Sequence, residues 1–214
     1  MIRLAEALEL PLRERNDLLL KAGFAPAYPW TPLDAAALTP VREALDHILR
    51  AHLPYPAVVI DRHGTVVGRN DAWHVLEEGC APELLAAPAN AYRIALHPDG
   101  MAPRIANFAE WARHVLTALS AELARNPDER LAALYDELTR YVPAAEVKAG
   151  HVGFAVPLRL RFRGGELRLM TTITSFATAV DVTVSELKLE AFLPADGATA
   201  AALWNRDAPP GSRP

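Results

Sequence analysis

The chain has 214 residues, of which 51% are hydrophobic and 22% charged, and this composition excludes disorder over most of its length. A formal net charge of −4 at pH 7 argues against a protein that binds nucleic acid through its overall charge. The single cysteine excludes an intrachain disulfide, and the lack of a long apolar run or a signal pattern predicts a cytoplasmic protein.

The N-terminal segment, residues 1–24, has the pattern of two short helices without a core of their own. A proline separates the two helices, and Gly23 suits the left-handed conformation that often ends a helix. Closely spaced prolines then interrupt any helical period in residues 25–39, which we interpret as a stiff linker pinned by Tyr28 and Trp30.

One folded domain is predicted over residues 40–205, and residues 206–214 are predicted to be a disordered tail. The first helix of the domain begins at Thr39 and Pro40, because a threonine cap followed by proline is a common helix start. Apolar residues then recur at the helical period, so this helix is expected to pack one face against a core.

A β-hairpin is predicted over residues 56–70, where two β-branched runs flank His63 and Gly64, a suitable two-residue turn. Asn70 is then placed to cap a further short helix. Two longer helices follow within residues 105–141, with apolar residues at the 3.6-residue period. These helices provide the apolar faces that could cover a sheet in the same domain.

The last third of the domain has the alternating pattern of an antiparallel sheet, with Gly164 and Gly165 as the predicted turn. That turn gives three cross-strand pairs: Phe162 with Leu167, Leu160 with Leu169, and Val156 with Ile173. A further strand places Leu187, Leu189, Ala191 and Leu193 on one face and Glu186, Lys188 and Glu190 on the other. We therefore expect an apolar sheet face under the helices and a charged face in solvent, where the glutamates meet arginines.

Five strands in the order hairpin, helices and three-stranded meander predict an α+β domain with a PAS-like fold. In that arrangement helices cover one face of an antiparallel five-stranded sheet and leave an apolar cavity between themselves and the sheet. The short helical segment of residues 1–24 precedes this domain. The fold class by itself does not specify a function.

Several segments in this order resemble the MmyB-like family of bacterial transcription regulators: PYPAVVIDRHGTVVGRNDAW, LHPDG, FAEWARHVL and LAALYDELTRY. In that family a helix-turn-helix domain precedes a PAS-like ligand-binding domain. The opening RLAEALELPLRERNDLLLKAGFAP resembles the last helices of the helix-turn-helix domain, so the resemblance runs from about residue 3 to about residue 204. It implies a sensor of small, mostly apolar molecules, with fatty acids as the favoured class.

The sequence departs from the family pattern in two places. The Ser-rich, Trp-containing segment that usually precedes the central hairpin is replaced by the shorter VPAAEVKAGHVGF. The front of the helix-turn-helix domain, including the recognition helix that enters the major groove, has no counterpart in the sequence. We therefore expect residues 1–24 not to read DNA alone, and DNA contact to require the missing elements. A homodimer is one expected arrangement of subunits.

The candidate catalytic and metal-binding residues form no recognised motif. The histidines lack a spacing such as HExxH, and a turn explains His97 and Asp99 better than a metal site completed by His114 does. Cys80 lies in an acidic stretch that disfavours a thiolate. We predict no enzyme, no metal and no cofactor. A hydrolase would need a histidine and a carboxylate beside Cys80 or a serine, and a haem protein would need an axial histidine in a large pocket.

The predicted ligand site is an apolar cavity between the sheet and the helices, with a few polar groups at its mouth. The sheet would contribute Phe154, Val156, Leu158, Leu169, Ile173 and Leu189, and the helices Phe108, Trp111 and Val115. Arg104, with His97 nearby, is the predicted anchor for a carboxylate head group. The alternative hypothesis is that these side chains fill a core without a void, in an interaction or dimerisation module.

Overall fold

The computed structural model describes residues 1–143, 156–176 and 178–205, so the predicted tail over residues 206–214 lies outside the described residues. The α-helices are α1 (Ile2–Ala7), α2 (Leu12–Lys21), α3 (Thr39–Ala51), α4 (His74–Glu77), α5 (Pro82–Leu85), α6 (Ala91–Leu96), α7 (Phe108–Arg125), α8 (Glu129–Thr139), α9 (Val182–Ser185) and α10 (Gly197–Trp204). The strands are β1 (Ala57–Ile60), β2 (Val66–Arg69), β3 (Leu158–Phe162), β4 (Gly165–Ser175) and β5 (Lys188–Pro194). None of the described helices is long and apolar enough to cross a membrane.

The five strands form one antiparallel sheet in the order β2-β1-β5-β4-β3. The strand that comes last in the chain, β5, therefore lies in the centre and joins the two hairpins. Successive side chains of a strand point to opposite faces of the sheet, so those of β5 enter the layers above and below its centre. The strand order and the helices packed on the sheet confirm the predicted α+β, PAS-like fold.

The first hairpin has a longer turn than the predicted two residues. Backbone hydrogen bonds run from Asp61 N to Thr65 O and from Gly64 N to Asp61 O, each at 3.0 Å, so three residues form the loop. The Asp61 carboxylate stabilises this wider loop by accepting from the backbone N–H groups of His63 and Thr65, both at 2.8 Å. Gly64 has a φ of +79°, and a left-handed residue at this position accompanies the register shift between the strands.

The second hairpin turns one residue earlier than predicted. The observed pairs are Leu158 with Leu169, Leu160 with Leu167, and Phe162 with Gly165. Arg163 and Gly164 form the turn with φ values of +47° and +79°, because a tight hairpin requires left-handed residues at both positions. The predicted pairs were wrong by two residues. Since side chains alternate with a period of two, Leu160, Leu167 and Leu169 still face the core.

The main hydrophobic core lies between one sheet face and helices α6, α7 and α8. The sheet contributes Val58, Ile60, Leu158, Leu160, Leu167, Leu169 and Phe192, each 4% exposed or less. The helices contribute Ile94, Trp111, Leu116, Leu131 and Leu138. Burial of each large apolar side chain contributes about 1.5 to 3 kcal/mol, so this layer is the main source of hydrophobic stabilisation.

The opposite sheet face is also covered, by α3. The cluster beneath α3 comprises Leu45, Leu49, Ala57, Val59, Leu187, Leu189 and Ala191. Leu189 pairs with Val59, and paired residues of a sheet point to the same face. The predicted solvent-exposed face was therefore wrong for the centre of the sheet. Lys188 and Glu190 lie on the face of the main core instead.

The N-terminal segment packs against the domain. Arg13 of α2 donates two hydrogen bonds to the Glu186 carboxylate, from Nε at 2.6 Å and from Nη2 at 2.8 Å. Asn16 donates to Tyr28 O at 2.8 Å and accepts from the backbone N–H groups of Ala27 and Tyr28 at 3.0 Å. The linker after α2 is therefore folded back along that helix.

Three local predictions in the connecting segments were wrong. Trp30 does not pin the linker, since 67% of its surface is exposed. Thr39 lies inside the first turn of α3, and Leu38 occupies the cap position. Asn70 precedes a 3₁₀ turn, but its side chain makes no capping hydrogen bond and contacts other backbone groups instead.

Candidate functional site

A cavity of about 380 Å³ lies between the main-core face of the sheet and helices α6 and α7. Its apolar wall comprises Trp73, Ala91, Ala95, Met101, Trp111, Val115, Ala118, Leu119, Ile173 and Phe192. Its polar lining comprises Tyr92, His114, Glu122, Arg125, Thr171, Lys188 and Glu190. An apolar space with a few convergent polar groups is the usual form of a small-molecule site, and volumes of about 300 to 1,000 Å³ suit such ligands.

The periods of helix α7 and strands β4 and β5 position these side chains. Trp111, Val115 and Glu122 recur at the helical spacing, so they project from one face of α7. Ile173 of β4 pairs with Glu190 of β5, and both side chains line the cavity. The cavity thus has a helical wall and a sheet floor.

Glu190 is the most unusual residue of this site. It lies in the middle of the central strand, between Val58 of β1 and Ile173 of β4, so apolar residues flank it on both sides. Burial in this environment raises the pKa of Glu190 to about 7, and the Lys188 ammonium only partly opposes that shift. No described residue donates a hydrogen bond to its carboxyl group. Glu190 can therefore hold or release a proton near neutral pH.

Glu122 forms a small ionic cluster at the edge of the cavity. Its Oε2 atom lies 3.4 Å from Lys188 Nζ and 3.1 Å from Arg125 Nη2, and Asn126 Nδ2 donates to its Oε1 atom at 3.2 Å. Burial acts to raise the pKa of Glu122, but the Lys188 charge and the Asn126 hydrogen bond outweigh it and hold that pKa below its ordinary value. Glu122 is thus a carboxylate with partners, in contrast to Glu190.

Two further polar atoms of the cavity wall lack partners. Trp73 Nε1 and Thr171 Oγ1 are buried and make no hydrogen bond to any described residue. The Trp73 and Phe192 rings meet edge-on with centroids 5.7 Å apart, and Phe192 pairs with Thr171 across the sheet. Buried polar atoms without partners cost free energy, so a bound molecule that formed these hydrogen bonds would be stabilised there.

Tyr92 connects the cavity to the first hairpin. Its ring lies so close to Gly64 that a Cβ atom on that glycine would be 2.3 Å from Tyr92 Cδ2. Gly64 therefore permits both the left-handed turn and the position of this ring. Burial, and then the negative charges of Glu190 and Glu122, raise the pKa of Tyr92, so its hydroxyl stays protonated and can donate a hydrogen bond.

Three of the residues predicted to form the site line this cavity: Trp111, Val115 and Ile173. Their role in ligand binding stays a prediction. Leu189 was placed on the wrong sheet face, since it packs beneath α3 and not against the cavity. The cavity residue of that strand is its neighbour Glu190.

Four predicted wall residues belong to the core that surrounds the cavity. Leu158 and Leu169 are fully buried there, and Phe108 and Val156 are half-buried and pack against it. Phe154 lies outside the described residues. These four side chains thus fill the core beside the cavity and do not line the cavity itself.

The predicted anchors of a carboxylate head group lie elsewhere. The Arg104 guanidinium donates to the backbone carbonyls of Val75 and Leu76 at 2.7 to 3.2 Å, and so satisfies the end of the short helix α4. His97 packs edge-on against Tyr141, with ring centroids 4.8 Å apart. Neither Arg104 nor His97 lines the cavity, so neither can hold the head group of a ligand bound there.

Sequence reasoning missed the charged residues of the lining. Lys188 and Glu190 alternate with Leu187 and Leu189, and this pattern normally assigns the charged residues to solvent. The signal that reverses the assignment is long-range, because β1 must lie beside β5 before Leu189 pairs with Val59.

A second, larger groove of about 790 Å³ lies between α2 and the domain. Ion pairs at 2.6 to 3.4 Å join Arg13 to Glu186 and Arg62 to both Glu186 and Asp128, and His63 Nε2 lies 3.2 Å from Asp128 Oδ1. Glu122, Arg125 and Lys188 line both this groove and the cavity. The ionic cluster around Glu122 is therefore the boundary between the cavity and the surface that faces α2.

The described residues offer little for catalysis or metal binding. They contain no group of three or more side chains that could hold a metal ion. The Asp99 backbone N–H donates to His97 Nδ1 at 3.0 Å, as expected for a turn. Burial raises the pKa of the Cys80 thiol, and its Sγ lies 3.7 Å from Leu76 O, so Cys80 is a weak nucleophile.

Comparison with protein families identifies the domain that holds the cavity. The family model of the MmyB-like transcription regulator ligand binding domain matches residues 41–204, which is more than half of the chain. Comparison with curated proteins gave no match. The matched range contains every residue of the cavity lining and excludes α1 and α2. The description of this family as a ligand binding domain of transcription regulators points away from enzymatic activity.

Proposed function

The chain belongs to the family of the MmyB-like transcription regulator ligand binding domain, and we propose that it binds a small, mainly apolar molecule in its cavity. The domain is the sensor part of a regulator. The observation that carries the proposal is the space of about 380 Å³ between α7 and the sheet, walled by Trp111, Ile173 and Phe192. Burial of apolar ligand surface there would supply most of the binding free energy. A fatty acid, the class implied by the resemblance, has such an apolar body.

We further propose that the cavity controls DNA binding through α2. In this proposal residues 1–24 are the last helices of a helix-turn-helix domain, and DNA is contacted by elements of that domain outside this chain. Leu4, Leu8 and Leu20 are each more than half exposed. Exposed apolar side chains on these two helices are what would pack against the rest of such a domain.

The ionic cluster of Glu122, Arg125 and Lys188 supports a link between ligand and α2, because it faces both. A ligand that contacts this cluster makes different interactions when α2 is docked and when it is released. Such a difference in interaction free energy is what shifts the population of two arrangements.

The same exposed side chains favour a second candidate function, homodimerisation through α1 and α2. Two copies that pack Leu4, Leu8 and Leu20 together would bury these residues without any other domain. Multi-angle light scattering distinguishes the two cases. A monomeric mass at every concentration would contradict the dimer. A dimeric mass that Leu8→Lys leaves unchanged would contradict its formation through α1 and α2.

Three matched eight-carbon probes, octylamine, 1-octanol and octanoate, test the sensor proposal. We expect at least one probe to raise the melting temperature and to form a 1:1 complex in native mass spectrometry. A ligand at one hundred times its Kd stabilises a protein by about 2.7 kcal/mol.

Ala95→Leu narrows the cavity and should lose this effect, whereas Ala133→Leu on the exposed face of α8 should keep it. The proposal fails if no probe stabilises the unaltered chain. Equal stabilisation of the Ala95→Leu variant would place the binding site outside the cavity.

A further inference from the structure

We propose that the ligand of this cavity carries a protonated amine that pairs with Glu190. This inference rests on the proposed function. The ligand would be an amphipathic amine with an apolar body and one cationic nitrogen. It differs from the fatty acid that the family resemblance implies, in which the head group is an anion.

The Glu190 side chain is half-buried, and Lys188 is the described cation that acts on its charge. It lies on the central strand at the floor of the cavity, flanked by Val58 and Ile173, and receives no hydrogen bond from a described residue. A buried carboxylate without a partner is strongly disfavoured, whereas a carboxylate paired with a cation is not. A cationic ligand would supply the partner that this side chain lacks.

The permanent cations of the lining are already paired. Lys188 and Arg125 both contact Glu122, at 3.4 and 3.1 Å, and His114 is exposed at the cavity edge. A fatty-acid carboxylate would compete with Glu122 for these two cations and would lie beside the acidic side chain of Glu190. Among the described charged residues of the lining, Glu190 is thus the one without a hydrogen-bonded partner, and its acidic side chain favours a cationic head group.

Aromatic rings in the wall also suit a cation, because the faces of Trp, Tyr and Phe rings attract positive charge. Trp73 Nε1 and Thr171 Oγ1, which lack partners, lie at the Phe192 end of the cavity. Thr171 is two residues along its strand from Ile173, the partner of Glu190, and this spacing is about 7 Å. A ligand oxygen at that distance from the amine would accept the hydrogen bonds that these atoms do not make.

The three probes have eight carbons each and differ in their head groups, so calorimetric titration of the whole chain at neutral pH measures the head-group preference. The apolar tail of octanoate is one methylene shorter, which accounts for about 0.8 kcal/mol, or about 4-fold in affinity. We expect octylamine to bind about 10-fold or more tightly than octanoate, with 1-octanol between them. Glu190→Gln keeps the size of the side chain and removes its charge. It should weaken octylamine binding about 10-fold or more and leave 1-octanol binding within about 2-fold, which also shows that the variant is folded.

Glu166→Gln is the matched control, since Glu166 pairs with Arg159 on the exposed β3–β4 hairpin outside the cavity lining. Its affinity for octylamine should equal that of the unaltered chain. Tighter binding of octanoate than of octylamine, or unchanged octylamine affinity in Glu190→Gln, would overturn the amine and leave the cavity as a ligand site. Failure of all three probes to bind the unaltered chain would overturn the proposed function as well.

Discussion

Asn70 is a buried amide that joins three separate stretches of backbone. It donates to the carbonyls of Leu49 at 3.0 Å and Tyr55 at 2.9 Å, and its oxygen accepts from the Ala57 N–H at 3.1 Å. The end of α3, the following loop and the first residue of β1 are therefore held by one side chain. Short polar residues at such junctions stabilise connections that secondary structure leaves unpaired.

Asn70→Ala is expected to lower the free energy of unfolding by about 3 kcal/mol, because it leaves three buried backbone groups without partners. Urea denaturation followed by circular dichroism measures this change. Asn205→Ala, at the exposed end of α10, is the control and should change stability by less than about 0.5 kcal/mol. Equal losses in the two variants would contradict the role given to Asn70.

Glu190 makes the stability of the domain depend on pH. Burial raises its pKa from 4.5 to about 7, so the unfolded chain releases this proton at lower pH than the folded chain does. Stability is therefore lost as the pH rises from about 5 to above 7, by up to about 3 kcal/mol. Lys188 opposes the shift, whereas Glu122 and Tyr92 are the acidic groups of the lining on the helix side.

Glu190→Gln is expected to remove this pH-dependent loss. The free energy of unfolding at pH 5 and at pH 8 provides the measurement. The Arg159 hydrogen bond holds the pKa of exposed Glu166 below its ordinary value, so Glu166 stays ionised between pH 5 and pH 8. Glu166→Gln should therefore still show the loss that Glu190 causes. A Glu190→Gln protein with the same pH profile as the unaltered chain would contradict the prediction.

Among the elements, the turn of the β3–β4 hairpin depends on left-handed backbone. Gly164 has a φ of +79° and open space around an added Cβ, so only backbone strain opposes a substitution there. Gly164→Ala is expected to cost about 1 kcal/mol. Gly197→Ala, in equally open space at the start of α10, should be neutral or stabilising. Thermal denaturation compares the two, and a fully stable Gly164→Ala protein would contradict the observed turn.

This hairpin also shows how far the sequence predicts the structure. Alternation was enough to place Leu160 and Leu169 on one face, but it could not choose between two adjacent turns, and a glycine pair favoured the wrong one. The core assignment survived because both turns preserve the same alternation. Glu190 could not be assigned in this way, since its direction depends on a pairing with β1, far away in the sequence.

The predictions for the site also succeeded where a local pattern decides and failed where long-range packing decides. Helical period was sufficient to bring Trp111 and Val115 to the face of α7 that meets the sheet, because period is a local property. Arg104 was chosen for its position before that helix. Its hydrogen bonds to carbonyls of α4 depend on how two distant segments pack, which no local pattern specifies.

Helix α2 is attached to the domain by its pair with Glu186. Arg13→Gln removes a partly exposed ion pair with two hydrogen bonds, and a loss of about 1 kcal/mol should make α2 amide exchange about five-fold faster. Hydrogen–deuterium exchange with mass spectrometry measures this rate. Arg3→Gln on exposed α1 should leave α2 exchange unchanged. Unchanged exchange in Arg13→Gln would show that other contacts hold the helix.

The whole molecule is a layered arrangement in which the sheet separates two cores. Leu49 of α3 is 2% exposed in the smaller core, whereas its neighbour Ile48 is 36% exposed. Leu49→Ala is expected to lower the free energy of unfolding by about 2 to 5 kcal/mol, and Ile48→Ala by less than about 1 kcal/mol. Urea denaturation checks both values. Similar small losses would contradict the packing of α3 on the sheet.

The ionic cluster of Glu122, Arg125 and Lys188 belongs to two surfaces at once. If a ligand weakens the docking of α2 by some factor, the release of α2 must strengthen ligand binding by the same factor, because coupling is reciprocal. Under the proposed function, whatever draws α2 away from the domain would then change the affinity of the cavity for its ligand. The ligand concentration at which the domain responds would therefore depend on the fraction of chains in which α2 is docked.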